Sequence, residues 1–178
     1  KEKTVGIIGY GNMGSAFAEK LAGFGCRVLA YDKYKKGFGN ALVEECSPEI
    51  LFETCDIISL HLPLNQETLY YADAVFLNSF KKSIYVINTA RGKCLKTEDL
   101  VAAIQSGKVK GACLDVLEYE KLSFEGLGGD MPPALTYLLN SDKVILSPHI
   151  AGWTHESNYK MSRMIAEKMN AVLKKITS

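Results

Sequence analysis

The chain has 178 residues, 47% of them hydrophobic and 23% charged, which suits one globular domain of ordinary size with a core of its own. A formal net charge of +1 with no basic block points to neither nucleic acid nor an anionic membrane as partner, and no apolar run is long enough to span a bilayer. Five scattered cysteines (Cys26, Cys46, Cys55, Cys94, Cys113) form no C-x-x-C pair, so incidental thiols in a reducing cytoplasm are expected, and no metal site.

No signal peptide opens the chain. It begins at Lys1 without a methionine, and its first strand starts almost at once, which reads as a fragment or a processed product. Val5, Ile7 and Ile8 form an apolar run that reads as a buried strand. The run stops at Gly9-Tyr10-Gly11-Asn12-Met13-Gly14, a G-x-G-x-x-G spacing. A helix follows, with Phe17, Leu21 and Phe24 at helical intervals, and then a second strand, Arg27-Val28-Leu29-Ala30-Tyr31, closed by Asp32. Each part has a physical role in holding a dinucleotide. Gly9 permits a tight turn, Gly11 lets a pyrophosphate reach the backbone, and Gly14 lets the helix press on the strand. The N–H groups at the helix start, near Asn12 and Met13, carry partial positive charge that suits a diphosphate. Asp32 would accept hydrogen bonds from ribose hydroxyls.

The next segment, Lys33-Tyr34-Lys35-Lys36-Gly37-Phe38-Gly39, is a basic loop that either lies beside an adenosine or is simply a solvated turn. Ser47 reads as a helix cap with Pro48 in the first turn, and the short helix runs to about residue 53. Asp56-Ile57-Ile58-Ser59-Leu60-His61-Leu62 reads as a strand ended by Pro63, followed by a loop at 65–68 and a helical stretch to about residue 80. Ile84-Tyr85-Val86-Ile87-Asn88 is the next strand, and Thr89-Ala90-Arg91-Gly92 leaves its end. Thr97 is expected to cap a helix that runs from 99 to 105 and stops at Ser106-Gly107. Gly111-Ala112-Cys113-Leu114-Asp115-Val116 reads as a strand, 118–133 as a loop, 135–139 as a short helix and Val144-Ile145-Leu146-Ser147 as the last strand, ended by Pro148-His149. A long helix is expected from 154 to about 176.

Strands alternating with helices imply right-handed crossovers and an α/β, doubly wound parallel sheet with helices on both faces, and the apolar strands suit burial on both sides. Ligands of such sheets bind beyond the carboxyl ends of strands. Asp32, His61, Arg91, Asp115 and His149 all follow predicted strands. Taken singly they are ambiguous. Arg91 could grip a carboxylate in two-pronged fashion or serve a surface ion pair. His149 could be a catalyst or a hydrogen-bonded structural residue. Glu118 and Glu120 lie in a loop, where carboxylates are usually just solvated.

Taken together, the glycine trio with Asp32, then Leu60-His61-Leu62-Pro63, Asn88-Thr89-Ala90-Arg91-Gly92, Leu114-Asp115-Val116 and Pro148-His149-Ile150-Ala151-Gly152, occur in an order that resembles the NAD-binding domain of the D-isomer-specific 2-hydroxyacid dehydrogenases. The resemblance covers essentially the whole chain. It implies a Rossmann fold and NAD as cofactor. Arg91 then takes the role of binding the substrate carboxylate and keto oxygen, His149 that of acid–base, and Glu120 that of its carboxylate partner. Glu118 falls at the wrong spacing and is left structural. Asp115 would approach the nicotinamide carboxamide, with Thr89 and Ala90 lining that ring. His61, Pro63 and Thr68 would surround the adenosine half, and Gly152, with Arg91 and His149, completes the cofactor-contacting set. Glu120 argues against the formate dehydrogenase branch, where a glutamine stands. The ending Ala151-Gly152-Trp153-Thr154-His155-Glu156 looks most like phosphoglycerate- or erythronate-phosphate-type members.

Family members also carry a substrate domain built mostly from residues ahead of the glycine motif. Residues 1–178 are therefore read as the cofactor half of a two-domain enzyme, with the helix of 154–178 returning toward the other half, and a homodimer is expected. Two functions remain. One is an NAD-dependent oxidoreductase acting on a small D-2-hydroxy or 2-keto acid, D-3-phosphoglycerate among them. The other is a non-catalytic NAD(H)-sensing corepressor-like protein that keeps the same Arg, Glu and His. The lack of interaction-tail sequence favours the enzyme.

Overall fold

A computed structural model describes residues 3–119 and 131–177. The chain divides into two compact units, Lys1–Pro148 and His149–Ser178.

The first unit is built on a seven-stranded sheet in the order β3-β2-β1-β4-β5-β6-β7, every pair parallel. Its strands are β1 Thr4–Ile8, β2 Arg27–Tyr31, β3 Glu44–Glu45, β4 Ile57–Leu60, β5 Ile84–Asn88, β6 Val109–Leu114 and β7 Val144–Leu146. The helices are α1 Asn12–Leu21, α2 Pro48–Thr54, α3 Ala74–Ser79, α4 Thr97–Gln105 and α5 Pro133–Asn140. The two-residue edge strand β3 has no apolar run to announce it. It exists because β2 offers Leu29 and Ala30 as partners to Glu44 and Glu45.

Alternation along the strands sends side chains to two separate cores. On one face, Ile8, Leu29, Ile58, Leu60, Val86 and Leu114 meet Leu51 of α2, Phe76 and Leu77 of α3, Leu100 and Ile104 of α4 and Leu138 of α5. On the other, Ile7, Val28 and Ala30 pack with Ala18 of α1, Tyr10 and Val43. Helices therefore stand on both faces, as expected, but the cover is unequal. Along β5, β6 and β7 the second face leaves Tyr85, Cys113 and Ile145 exposed.

Three local expectations need correction. The first helix ends at Leu21, and a 3-10 turn at Ala22–Phe24 turns Phe24 out to 73% exposure, so the helical interval beyond Leu21 was misread. Ser47 does sit at the start of α2 with Pro48 behind it, yet its hydroxyl makes no cap bond. α4 starts at Thr97, with no side-chain cap from its own N-cap residue Lys96. The Thr97 N–H instead donates to the Glu118 carboxylate at 3.1 Å, so the cap comes from a residue 21 positions away.

The second unit contains α6, His155–Thr177, opened by a turn in which the Thr154 hydroxyl accepts the Ser157 N–H at 3.0 Å. Among the described residues, no helix is long and apolar enough to cross a membrane.

Candidate functional site

Strand order reverses between β1 and β4, since the chain leaves β1 toward β2 and β3 and then returns on the other side. A crevice opens beyond the carboxyl ends at such a switch point. Here it is a cleft of about 230 Å³, lined by Ile8, Gly9 and Gly11 after β1, Tyr31 and Asp32 after β2, and His61, Leu62 and Pro63 after β4.

The glycine turn is tied down by the Gly9 N–H, which donates to the Tyr31 carbonyl at 2.8 Å. Gly9 has φ +92°, and a Cβ there would stand 2.6 Å from the His61 carbonyl oxygen, so only glycine fits. A Cβ on Gly14 would run into the Gly9 carbonyl and come within 3.3 Å of Ile7 Cγ2. Gly11 differs: nothing lies within 4 Å of the place its Cβ would take. That open space stands over the start of α1, where no side chain caps the helix and no acidic residue occupies the first turn. The N–H groups of Asn12, Met13 and Gly14 thus belong to a helix start with no side-chain partner of its own, the setting in which a diphosphate is held. The residues present fit a dinucleotide.

Asp32 is tied to the cleft by backbone donors. Its carboxylate accepts from the backbone N–H of Tyr10 at 2.8 Å, Tyr34 at 2.9 Å and Lys35 at 2.9 Å. Burial works upward on its pKa, but the three N–H donors and the Lys35 charge outweigh it and hold the carboxyl below its ordinary 3.8. It is an anion at neutral pH, fixed to the glycine turn. His61 is the reverse case. Burial pushes its pKa down to about 4, so its ring is neutral, held by Ser59 Oγ at 2.9 Å and packed on Phe17 at 5.1 Å. Pro63 and Thr68 line the same cleft. The Thr68 hydroxyl, however, is spent on its own loop, donating to the Pro63 carbonyl at 2.5 Å and accepting the Asn65 N–H at 2.9 Å.

A second group of polar residues gathers beyond β5, β6 and β7. Asn88, fully buried, accepts the Ala90 N–H at 3.1 Å and donates to the Arg91 carbonyl at 3.1 Å, so it sets the path of Thr89, Ala90 and Arg91. A Cβ on Gly92 would strike the Leu117 carbonyl, so the Arg91 loop packs directly on the chain leaving β6. Arg91 is exposed, with Nη1 donating to the Ala90 carbonyl at 2.6 Å. Asp115, buried, receives the Ser147 hydroxyl at 2.6 Å, and its N–H donates to the Asn88 carbonyl at 3.0 Å. Tyr70 sits at φ +52°, its N–H on the Lys93 carbonyl at 2.8 Å and its hydroxyl on Glu118 at 2.5 Å. Glu118 therefore joins Tyr70 to the start of α4, the structural role expected of it. Asn88, Ser147 and Tyr70 carry no chemical signal in the sequence, since their use depends on neighbours brought by other strands.

Every polar residue expected after a strand in this unit is thus found at a carboxyl end. In the other unit, His149 has φ +52°, and with Gly152, Trp153 and Asn158 it borders a shallow recess at the start of α6. Left-handed backbone at a non-glycine residue costs about 1–3 kcal/mol and gathers at functional positions. Glu120 lies outside the described residues.

Residues 1–151 match the family model described as "D-isomer specific 2-hydroxyacid dehydrogenase, NAD binding domain". The chain belongs to this family. Among curated members it is similar to glyoxylate reductase of Thermofilum pendens, 37% identical over 177 residues, which are 98% of this chain and 49% of that protein. It is similar also to D-lactate dehydrogenase of Staphylococcus aureus, 33% identical over 181 residues, spanning all of this chain and 54% of that protein. Among solved structures, the NAD-complexed 2-hydroxyacid dehydrogenase of Lactobacillus delbrueckii ssp. bulgaricus superposes with a TM-score of 0.87 at 32% identity, covering 97% of this chain and 53% of that one. The chain therefore spans about half the length of the relatives it matches.

Proposed function

We propose that this chain is the cofactor half of an NAD-dependent dehydrogenase that interconverts D-2-hydroxy acids and 2-keto acids. The observation that carries this reading is the placement of Asp32, His61, Arg91 and Asp115 at successive carboxyl ends of one parallel sheet, around a glycine turn that fits a diphosphate. NAD(H) supplies the hydride carrier. Gly9, Gly11, Gly14 and Asp32 bind it, with His61, Pro63 and Thr68 around the adenosine half and Thr89, Ala90, Asp115 and Gly152 at the nicotinamide end. Arg91 binds the carboxylate and keto oxygen of the acid. His149 delivers a proton to that oxygen, and Glu120 pairs with the imidazole and orients its ring. Residues 1–178 form one cofactor domain in this reading, and α6 leads toward a substrate half like the rest of the relatives' length.

The substrates to try first are small unphosphorylated 2-keto acids, since the relatives are named for glyoxylate and D-lactate. The phosphoglycerate-type acid suggested by the residues around Trp153 comes second. A homodimer in a reducing cytoplasm completes the proposal; the five free thiols support that compartment, with burial pushing Cys55 up to about 12.

The test is a panel of 2-keto acids with NADH, run on the native gene product beside the 178-residue chain. The expected result is turnover by the gene product, and NADH binding with almost no turnover by the chain alone. Positioning is worth about 7–11 kcal/mol in well-oriented systems, and half of it would be lost without a second wall to the cleft. Glu120→Gln should slow reduction by the gene product far more than it weakens NADH binding. An unchanged reduction rate in that variant removes Glu120 from the chemistry, and failure of the chain to bind NADH overturns the reading of the glycine turn.

A further inference from the structure

The basic loop after β2 carries three lysines close to Asp32, the anion of the cleft, and Lys33 lines the cleft itself. Three ammonium groups beside a ribose would be expected to welcome a 2′-phosphate and so to work against Asp32. Two of them are turned to backbone. Lys35 Nζ donates to the Tyr10 carbonyl at 3.0 Å, and Lys36 Nζ donates to the Asp32 carbonyl at 3.3 Å while lying 5.6 Å from the Tyr31 ring centroid. Lys33 is held by a carboxylate instead. Its Nζ lies 3.0 Å from Glu67 Oε2, the same oxygen that accepts the Tyr34 hydroxyl. Glu67 comes from the other side of the cleft, on the loop after β4.

That loop is built to hold Glu67 in place. Asn65 Oδ1 accepts the N–H of Glu67 at 2.9 Å and that of Thr68 at 3.0 Å, and the Thr68 hydroxyl closes the turn onto Pro63. Lys33, Tyr34 and Glu67 all line the cleft, so the pair spans it from the β2 side to the β4 side. Stability does not explain the pair. Its side chains are 57% and 53% exposed, and ion pairs so open to water contribute little to folding.

We propose that Glu67 is a specificity-determining residue of the dinucleotide cleft: it holds Lys33 away from the position of a ribose 2′-phosphate and so favours NAD(H) over NADP(H). The inference rests on the cleft taking the adenosine half of the dinucleotide. With Glu67 present, a 2′-phosphate meets the Asp32 anion and must also compete with a carboxylate for Lys33. With Glu67 removed, the ammonium is released toward the cleft.

The experiment is fluorescence titration of the chain with NADH and with NADPH, using the wild type, Glu67→Gln, Lys33→Met and the double variant, each at low and high salt. Glu67→Gln should tighten NADPH relative to NADH about fivefold, the size expected of one charge pair in a water-rich setting. The gain should vanish in the double variant and shrink with added salt. A NADPH-to-NADH ratio unmoved by Glu67→Gln overturns the proposal. So does a gain that survives Lys33→Met, because it would then be the carboxylate's own repulsion. Failure of the wild type to bind NADH would instead sink the cofactor reading, so the two failures are distinguishable.

Discussion

Gly11 and Gly14 stand three residues apart in one motif, and the structure predicts opposite costs for giving each a methyl group. In Gly14→Ala the new Cβ enters the Gly9 carbonyl, lies 3.1 Å from the Gly9 carbonyl carbon and 3.3 Å from Ile7 Cγ2. The first obstacle is backbone and cannot turn aside, so relief requires α1 to lift from β1. Overpacking costs about 1–3 kcal/mol, and a backbone obstacle places this variant near the upper value. For a chain of this size that is a fall in Tm of about 6–12 °C. NADH binding should fail with it, because the turn that moves is the one proposed to hold the diphosphate. In Gly11→Ala nothing lies within 4 Å of the new methyl, and φ −79° and ψ −160° suit any L-residue. Stability should stay within about 0.5 kcal/mol. The methyl nonetheless projects into the space over the helix start, and a clash of about 1–3 kcal/mol with the diphosphate weakens NADH by roughly 5–150-fold. Thermal melts paired with calorimetric titration of both variants decide the matter. A Gly11→Ala protein that binds NADH as tightly as wild type refutes close approach of the cofactor to this backbone.

His61 should make the fold sensitive to mild acid. Its folded pKa of about 4 lies below the ordinary 6.5, so the unfolded chain takes up the proton first and stability falls as pH drops from 6.5 toward 4. Urea unfolding at pH 7 and pH 5 should differ by about 2 kcal/mol from this residue, and His61→Gln should remove most of that difference. Glu118→Ala takes away the acceptor for the Thr97 N–H and the Tyr70 hydroxyl, and should cost about 1–2 kcal/mol by urea unfolding while leaving NADH affinity unchanged. Ser147→Ala removes a 2.6 Å hydroxyl bond from buried Asp115, and the expected loss is about 1–2 kcal/mol by the same assay.

What could be read from the chain was what depends on near neighbours. Apolar strands, the glycine spacing and an acid after the second strand all lie within short stretches and were found, although the strand read at 111–116 runs from Val109 to Leu114. What failed depends on distant ones. The cap of α4 reads as Thr97 because local chemistry favours a threonine there, but Glu118 arrives from beyond β6 and takes the N–H. Phe24 keeps the helical interval, yet the chain has already turned at Ala22, so periodicity outlives the helix that would justify it. The three N–H groups that orient the Asp32 carboxylate, from both sides of the turn, are likewise visible only in the fold. Asn88 and Ser147 became visible only when β5, β6 and β7 lay side by side.

The layer beneath α1 has a dynamic consequence. Of that helix only Gly14 and Ala18 are buried, and the cluster under it is small, with Ile7, Tyr10, Val28, Ala30 and Val43 around Ala18 and the partly buried Phe17 and Leu21 at its edge. The opposite face carries the larger cluster and the other four helices of its unit. Little apolar surface is exposed when α1 alone detaches, so its amides should exchange with deuterium through openings well below the global unfolding free energy. The helix start proposed to meet the diphosphate then belongs to an easily opened piece of the sheet unit. A dinucleotide bound there should slow exchange along α1 far more than along β5, and the size of that slowing reports its affinity by mass action.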